Sequence, residues 1–230
     1  MNGSLPVVET FHSLQGEGVH TGRSAFFIRL AGCTVGCPWC DTKNTWSAKQ
    51  HPDIPLEELA AQTAAAAQHG AAFVVLTGGE PLHHNIDPLC KALRKSTASN
   101  TKKSLPIHLE TSGVNPLSGS PNWITLSPKR HAPPHPELLA YCNELKVVVH
   151  NEADLEFAEA MASEALKARR KFSHSSTSRE RSAHAASDEL LMLIQPGWNN
   201  IKAQQLAIEF VQTHQQWRLS VQMHKWLSVR

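Results

Sequence analysis

The chain has 230 residues and 41% hydrophobic side chains, which suits one packed domain spanning 1–230. Its formal net charge of only +2 at pH 7 argues against a nucleic-acid partner. No apolar run approaches the roughly 20 residues that span a bilayer, and the first residues lack the basic and apolar regions of a signal peptide. These features predict a cytoplasmic protein without membrane or nucleic-acid contacts.

Apolar runs alternate with helix-forming stretches along most of the chain. The runs predict β-strands at 25–30, 73–76, 107–110, 123–126, 145–149, 190–194 and 217–222. The other stretches predict α-helices at 56–69, 86–93, 153–168 and 201–213, with Asn85 capping the second. Such alternation is typical of an α/β fold with a largely parallel sheet.

One polar and basic stretch, 167–188, lacks apolar periodicity. It is predicted to be a mobile insertion, because it has no apolar face to bury. A phosphate-binding basic arm is the functional alternative for this stretch.

Polar or glycine-rich loops follow several of the predicted strands. These loops begin at Gly32, Thr77, Glu110, Ser127 and Gln195. Because functional sites of parallel α/β sheets collect at the carboxyl ends of the strands, we expect these loops to form one site.

Three of the five cysteines, Cys33, Cys37 and Cys40, are crowded into eight positions with the spacing C-x3-C-x2-C. Thiolates are the ligands of iron–sulfur clusters, and these short spacings let one loop wrap one cluster. Three thiolates leave one iron of a [4Fe–4S] cluster open to a cofactor or substrate. A structural zinc site and three inert thiols are the alternatives. The candidate fourth zinc ligands are His51, Cys90 and Cys142.

The cysteine spacing, with Trp39 before the last cysteine, resembles a signature of the radical S-adenosylmethionine superfamily. The loop 77–81, Thr-Gly-Gly-Glu-Pro, is similar to the second signature of that superfamily. The resemblance implies an incomplete β/α barrel of parallel strands, with a [4Fe–4S] cluster on the three cysteines. It also implies S-adenosylmethionine as the cofactor at the open iron.

Further segments resemble the 7-carboxy-7-deazaguanine synthases within this superfamily. They are 13–18, 27–33, 37–43, 110–113, 127–129 and 217–225. This resemblance implies a lyase of queuosine biosynthesis that converts 6-carboxy-5,6,7,8-tetrahydropterin to 7-carboxy-7-deazaguanine by radical ring contraction with loss of ammonia. It also implies Mg²⁺, a homodimer and an electron donor such as flavodoxin or ferredoxin. The alternative functions are a glycyl-radical-enzyme activase and a zinc-binding RNA module.

The same resemblance implies roles for individual residues. The implied cofactor-binding residues are Gly78, Gly79, Glu80, Ser112, Ser127, Pro128, Lys129, Gln195 and Pro196. The implied pterin-binding residues are Leu14, Gln15, Gly16, Glu17, Arg29 and Thr77. Thr42 is the implied Mg²⁺ ligand, with Asp41 as its support. Glu80 could instead stabilise its own loop, and Arg29 could instead pair with a nearby carboxylate.

Overall fold

The computed structural model describes residues 3–101, 104–175 and 189–230. Within these residues nine strands form one sheet: β1 Ser4–Leu14, β2 Ser24–Leu30, β3 Asp53–Pro55, β4 Phe73–Gly78, β5 Ile107–Thr111, β6 Trp123–Leu126, β7 Glu144–Val149, β8 Leu191–Pro196 and β9 Trp217–Leu219. The described residues also form six α-helices: α1 Leu56–Gln68, α2 Asp87–Thr101, α3 Pro136–Tyr141, α4 Glu152–Ser175, α5 Ile201–Thr213 and α6 Met223–Leu227.

The sheet is open, with the strand order β3-β1-β2-β4-β5-β6-β7-β8-β9. Strands β2 and β4 to β9 run parallel, whereas β1 is antiparallel to both of its neighbours. The predicted α/β class with parallel strands is therefore confirmed. Among the described residues, no helix is both long enough and apolar enough to cross a bilayer.

The two faces of the sheet bury different side chains. A large core joins the helices to one face and includes Ile28, Leu76 and Leu109. On the opposite face Phe27 and Val75 belong to a second, small cluster. Because side chains alternate between the faces along a strand, the polar residues that follow at two-residue steps lie on this second face. The second face therefore carries the candidate site.

The mobile insertion is predicted at 167–188, but its predicted start is too early, because helix α4 continues to Ser175. Arg169 Nη1 donates a hydrogen bond of 2.6 Å to the Cys142 carbonyl oxygen, and the Phe172 ring meets Tyr141 edge to face at 4.7 Å. These contacts hold a segment whose composition alone indicates a loop. Residues 176–188 lie outside the described residues, so their assignment as an insertion stays a prediction.

Other element boundaries also differ from the predicted pattern. The predicted strand 217–222 ends at Leu219, and helix α6 begins at Met223. Helix α2 is longer than predicted, although Asn85 Oδ1 accepts from the Asp87 backbone N–H at 3.1 Å, as its predicted capping role requires. Strand β1 is absent from the prediction because its apolar residues, interrupted by Pro6, do not form a continuous run.

Candidate active site

A cavity of about 650 Å³ opens at the carboxyl ends of the parallel strands. Its walls come from β1, β2 and β4 to β8, from the cysteine loop, and from the C-terminal segment. All the predicted site residues line this cavity except Pro128 and Pro196. The cofactor-binding role of those two prolines stays a prediction.

The three clustered cysteines contribute one wall of the cavity as free, partly buried thiols. Burial raises the pKa of the Cys33 and Cys37 thiols, although the Lys129 ammonium opposes this effect at Cys37. Metal binding at these positions would therefore release protons.

The proposed fourth ligands of a zinc site lie elsewhere. Cys90 and Cys142 are fully buried in the main core, and the His51 ring contacts the Asn44 carbonyl oxygen at 2.8 Å. None of these three residues lines the cavity. The geometry therefore favours a three-thiolate cluster over a structural zinc ion.

The glycine loop after β4 packs directly against the cysteine loop. A Cβ atom on Gly78, which has φ of 140°, would lie 2.1 Å from the Leu30 carbonyl oxygen. A Cβ on Gly79 would lie 2.5 Å from the Gly32 carbonyl oxygen and 3.0 Å from the Cys33 Cβ. Only glycine allows this approach. The three thiols and this backbone cradle fit a cluster with a cofactor bound beside it.

Glu80 ties the glycine loop to the end of β5. Its Oε1 accepts from the Leu82 backbone N–H at 3.1 Å and from Thr111 Oγ1 at 2.5 Å. Its Oε2 accepts from the Ser112 backbone N–H at 2.8 Å and from Ser112 Oγ at 2.5 Å. These four hydrogen bonds match the alternative prediction of a loop-stabilising carboxylate. They also explain how a carboxylate that is 1% exposed remains in the cavity wall.

A second polar wall begins at Gln15, which follows β1. Gln15 Nε2 donates to Glu110 Oε1 at 2.8 Å, and Thr77 Oγ1 donates to Glu110 Oε2 at 3.1 Å. Three strands thereby converge on the Glu110 carboxylate. Glu110 opens the segment 110–113, one of those that resemble the synthases, but it is not among the predicted site residues. The sequence signal for it is that Glu110 begins one of the polar loops that follow the predicted strands.

Glu17 forms a buried ion pair with Lys146 of β7 through its Oε2. Its Oε1 accepts from Gln222 Nε2 at 2.8 Å. Burial alone would raise the pKa of the Glu17 carboxyl, but the Lys146 ammonium and the hydrogen bonds outweigh it and lower this pKa to about 2. Burial likewise opposes the charge of Lys146, yet Glu17, Glu110 and Glu144 raise the pKa of the ammonium. Both groups are therefore charged at neutral pH.

Arg29 makes the local ion pair that is the alternative to its predicted role. Its Nε donates to Glu9 Oε1 at 3.0 Å, and Arg230 Nη1 lies 3.2 Å from Glu9 Oε2. Within the described part of the chain, the Arg29 Nη1 and Nη2 atoms have no hydrogen-bond partner. Since Arg29 also lines the cavity, its terminal nitrogens are available to an anion there.

The predicted Mg²⁺ ligand and its neighbour differ in their contacts. Thr42 Oγ1 lies 3.6 Å from Cys40 Sγ at the cavity wall. Asp41 Oδ2 instead accepts from Lys225 Nζ at 2.5 Å, which joins the cysteine loop to helix α6. The Asp41 carboxylate is thus held by an ion pair, whereas the Thr42 hydroxyl is not.

Lys129 and the C-terminal segment complete the cavity. Lys129 Nζ donates to the Ser127 carbonyl at 2.9 Å and to Ser127 Oγ at 2.7 Å, and burial lowers the pKa of its ammonium. Ser13 Oγ donates to the Arg230 carbonyl oxygen at 2.5 Å, so the last residue lies at the cavity wall. Arg230 and His224 therefore join the candidate site, although neither is among the predicted site residues.

A cluster of aromatic rings covers part of the same sheet face beside this cavity. The His108 ring stacks on Phe73 at 4.1 Å and an interplanar angle of 14°, and the His20 ring lies 4.6 Å away. Burial, together with smaller effects of charge repulsion from His20 and Arg23, lowers the pKa of His108 from 6.5 to about 3. His108 is therefore neutral in the folded protein at neutral and mildly acidic pH.

We expect His108 to make the protein less stable as the pH falls below 6.5. The unfolded chain binds a proton at His108 near pH 6.5, whereas the folded chain does so only near pH 3. Since the unfolded state then binds more protons, about 2 kcal/mol of unfolding free energy should be lost between pH 7 and 5. Urea unfolding should show that His108→Phe removes this loss, whereas a control exchange at the exposed residue, His69→Phe, retains it. Equal pH dependence in parent and His108→Phe would contradict the assignment.

Comparison with known proteins assigns the cavity to a class. Residues 27–129, which contain both the cysteine and the glycine loops, match the Radical SAM superfamily. This protein is thus a radical SAM enzyme. It is 55% identical to the 7-carboxy-7-deazaguanine synthase of Prochlorococcus marinus over 229 residues and 100% of both chains. It is 33% identical to the Escherichia coli K12 synthase, over 97% of this chain and 98% of the relative.

A solved structure agrees with these relatives. The crystal structure of QueE from Escherichia coli matches with a TM-score of 0.71 and 31% identity, covering 96% of this chain and 95% of that one. The chain belongs to the 7-carboxy-7-deazaguanine synthase family. The incomplete β/α barrel and the family predicted from the motifs are both confirmed.

Proposed function

We propose that the protein is a lyase that converts 6-carboxy-5,6,7,8-tetrahydropterin to 7-carboxy-7-deazaguanine, with loss of ammonia, in the biosynthesis of queuosine. One observation carries this proposal: in this member of the family, the cysteine loop and a polar wall with the partly buried carboxylates Glu17 and Glu110 line the same cavity. The relatives reported above bear the synthase name, which favours this function over a glycyl-radical-enzyme activase.

We propose that Cys33, Cys37 and Cys40 hold a [4Fe–4S] cluster and that S-adenosylmethionine binds beside it. When bound, this pair supplies reductive cleavage of the sulfonium and a radical that abstracts hydrogen from the substrate. The Gly78 and Gly79 backbone would approach the methionyl group, and Glu80 would hold that backbone in place. The remaining cofactor contacts are assigned to Ser112, Ser127, Lys129 and Gln195, with Pro128 and Pro196 shaping the loops that carry two of them.

The polar wall fits a flat substrate with several N–H donors. Glu17 is an ionised acceptor held by Lys146, and Gln15 offers an amide beside it. The backbone of Leu14 and Gly16 and the hydroxyl of Thr77 would complete the contacts to the pterin. The unpartnered nitrogens of Arg29 would bind the carboxylate with two parallel hydrogen bonds. A guanidinium can form this bidentate arrangement, whereas a lysine ammonium cannot.

We further propose that Mg²⁺ binds near Thr42, since a hydroxyl oxygen suits this cation and Mg²⁺ keeps few protein ligands. The Asp41 carboxylate, paired with Lys225, would support the loop rather than the ion. An electron donor such as flavodoxin or ferredoxin, a homodimer and a cytoplasmic location complete the proposal. The free cysteines fit the reducing conditions of the cytoplasm.

Anaerobic turnover of the reconstituted enzyme tests the function. The reaction contains 6-carboxytetrahydropterin, S-adenosylmethionine, Mg²⁺ and dithionite, and mass spectrometry follows the product. We expect a product whose mass equals that of 7-carboxy-7-deazaguanine, with one ammonia released for each product formed. Cleavage of S-adenosylmethionine without any change in the pterin would contradict the proposed substrate.

The substitution Arg29→Lys should slow product formation despite keeping the charge. An ammonium cannot bind Glu9 and a substrate carboxylate with the same planar fork, so about 1.5 to 3 kcal/mol of transition-state stabilisation, roughly ten- to hundredfold in rate, should be lost. The measurement is kcat/KM for the pterin, with Arg218→Lys as the matched control at an exposed position.

Release of 5′-deoxyadenosine without pterin should survive in Arg29→Lys. If both rates fall together, Arg29 supports the cysteine loop through Glu9 instead of binding substrate. If neither rate changes, the carboxylate is bound elsewhere, and Lys225 is the next candidate.

A further inference from the structure

Glu144 of β7 is a buried carboxyl group that the proposed reaction does not use. The residue is almost completely buried, and it does not line the cavity. Burial raises the pKa of its carboxyl, whereas the Lys146 ammonium and the Val19 backbone N–H oppose this effect. Because burying a carboxyl group costs free energy unless it makes compensating contacts, the partners of Glu144 indicate what it stabilises.

The contacts of Glu144 are with the backbone that follows Glu17. Glu144 Oε2 accepts from the Val19 backbone N–H at 3.4 Å. Gly18 packs against the same carboxyl so closely that a Cβ atom on it would lie 2.2 Å from Glu144 Oε1. Gly18 also has φ of 69°, which favours glycine. The Glu144 carboxyl therefore occupies the space that a side chain at position 18 would need.

The neighbouring residues of this segment meet side chains of β6 and β7. The Glu17 carboxylate pairs with Lys146, which lies two positions after Glu144 and on the same face of β7. The His20 ring meets the indole of Trp123 on β6 edge to face, with centroids 4.5 Å apart. That indole also lies near enough to lower the pKa of Glu144, although its Nε1 has no hydrogen-bond partner among the described residues. Four consecutive residues are thus held by two strands.

Gly18 is also held from the segment after β9. Its backbone N–H donates to Ser220 Oγ at 3.0 Å, and that hydroxyl donates to Gln195 Oε1 at 2.8 Å. Since Gly18 adjoins Glu17, any shift of this backbone moves the Glu17 carboxylate relative to the cavity. The contacts of Gly18 with Glu144 and Ser220 therefore restrict where that carboxylate can lie.

We propose that Glu144 is a positioning residue: it holds the backbone at Gly18 and Val19 and thereby fixes the Glu17 carboxylate at the cavity wall for the pterin. The proposal rests on the proposed function, in which ionised Glu17 accepts N–H groups of that substrate. One strand supplies both constraints, since Lys146 holds the side chain of Glu17 and Glu144 holds the backbone next to it. Such preorganisation lowers the cost of binding, because the acceptor is already ordered when the substrate arrives.

The isosteric exchange Glu144→Gln and the larger change Glu144→Leu test this role. We expect the KM for the pterin to rise at least fivefold in Glu144→Gln and further in Glu144→Leu, with a smaller change in kcat. Hydrogen exchange, measured by mass spectrometry of a peptide covering 15–23 without pterin, should be faster in both variants. Release of 5′-deoxyadenosine without pterin should stay at the parental rate, because Glu144 does not contact the cysteine loop. Glu156→Gln, at an exposed position of α4, is the matched control.

A double-mutant cycle separates the positioning of Glu17 from general damage to the fold. In a Glu17→Gln background, Glu144→Gln should change the KM less than twofold, because the acceptor that Glu144 positions is already lost. Equal fold-changes in the two backgrounds, or a parental KM in both Glu144 variants, would overturn the proposal. If the parent does not convert the pterin, the proposed function fails instead. Hydrogen exchange of 15–23 then still decides whether Glu144 holds this segment, and exchange at the parental rate overturns that role.

Discussion

Replacing Cys37 by alanine should remove the cluster and all cleavage of S-adenosylmethionine. The three thiols are the only cysteines on the cavity wall among the described residues, so loss of one leaves a second iron without a protein ligand. Fe–S clusters are held by cysteine thiolates, and no neighbouring thiol can replace Cys37. Iron and sulfide analysis of the reconstituted protein, together with release of 5′-deoxyadenosine, measures both losses.

The matched control is Cys90→Ala. Cys90 is buried in the main core and does not line the cavity, so this variant should keep its full iron and sulfide content and its cleavage activity. Its cost should appear only as a modest loss of stability from the removed sulfur. A Cys37→Ala protein with a full cluster and normal cleavage would show that this thiol is not a ligand.

Short local motifs made the cysteine wall predictable from the sequence. Cys33, Cys37 and Cys40 lie on one loop, so their spacing alone brings them together. The glycines at 78 and 79 follow an apolar strand, and a loop at that position reaches the cavity in any parallel sheet. The structure adds the reason for their chemistry, since a side chain at either position would collide with the cysteine loop or the strand before it.

The cavity wall that contains Glu17 and Lys146 was less predictable, because it depends on the register between distant strands. Lys146 lies 129 positions from Glu17, and no spacing in the sequence relates them. The only local signal is that Glu144 and Lys146 alternate with Leu145 and Val147, which places the charged residues on one face of β7. An apolar run with charged residues in it predicts a buried strand, but it does not show that the charged residues belong to a site.

Competition between local and tertiary contacts explains the remaining differences. The last turns of α4 are polar in sequence, but Arg169 and Phe172 contact the segment around α3. Glu80 and Arg29 illustrate the same point within the cavity, since each satisfies a structural contact predicted only as its alternative. One side chain can hold a loop and still present its charge to a ligand.

Replacing Lys146 by methionine should destabilise the protein and impair pterin binding together. The Lys146 side chain is buried against the partly buried Glu17, so its removal leaves this carboxylate without its counter-charge. Removing one partner of a buried ion pair typically costs about 3 to 5 kcal/mol. Glu17 should then take up a proton or turn away, and a neutral carboxyl no longer accepts two N–H groups from a substrate. Urea unfolding and the KM for the pterin measure the two effects, with Lys49→Met as the exposed control.

The double variant Glu17→Gln/Lys146→Met separates this charge effect from general damage to the core. With both charges removed, Glu17 is no longer a carboxylate without a counter-charge, so the double variant should be more stable than Lys146→Met alone. Pterin turnover should nevertheless stay low, because the amide of glutamine cannot replace the ionised acceptor. Release of 5′-deoxyadenosine without pterin should continue in the double variant, since neither residue contacts the cysteine loop. A Lys146→Met protein with parental stability and parental KM would show that the hydrogen bonds to Glu17 hold its carboxylate without Lys146.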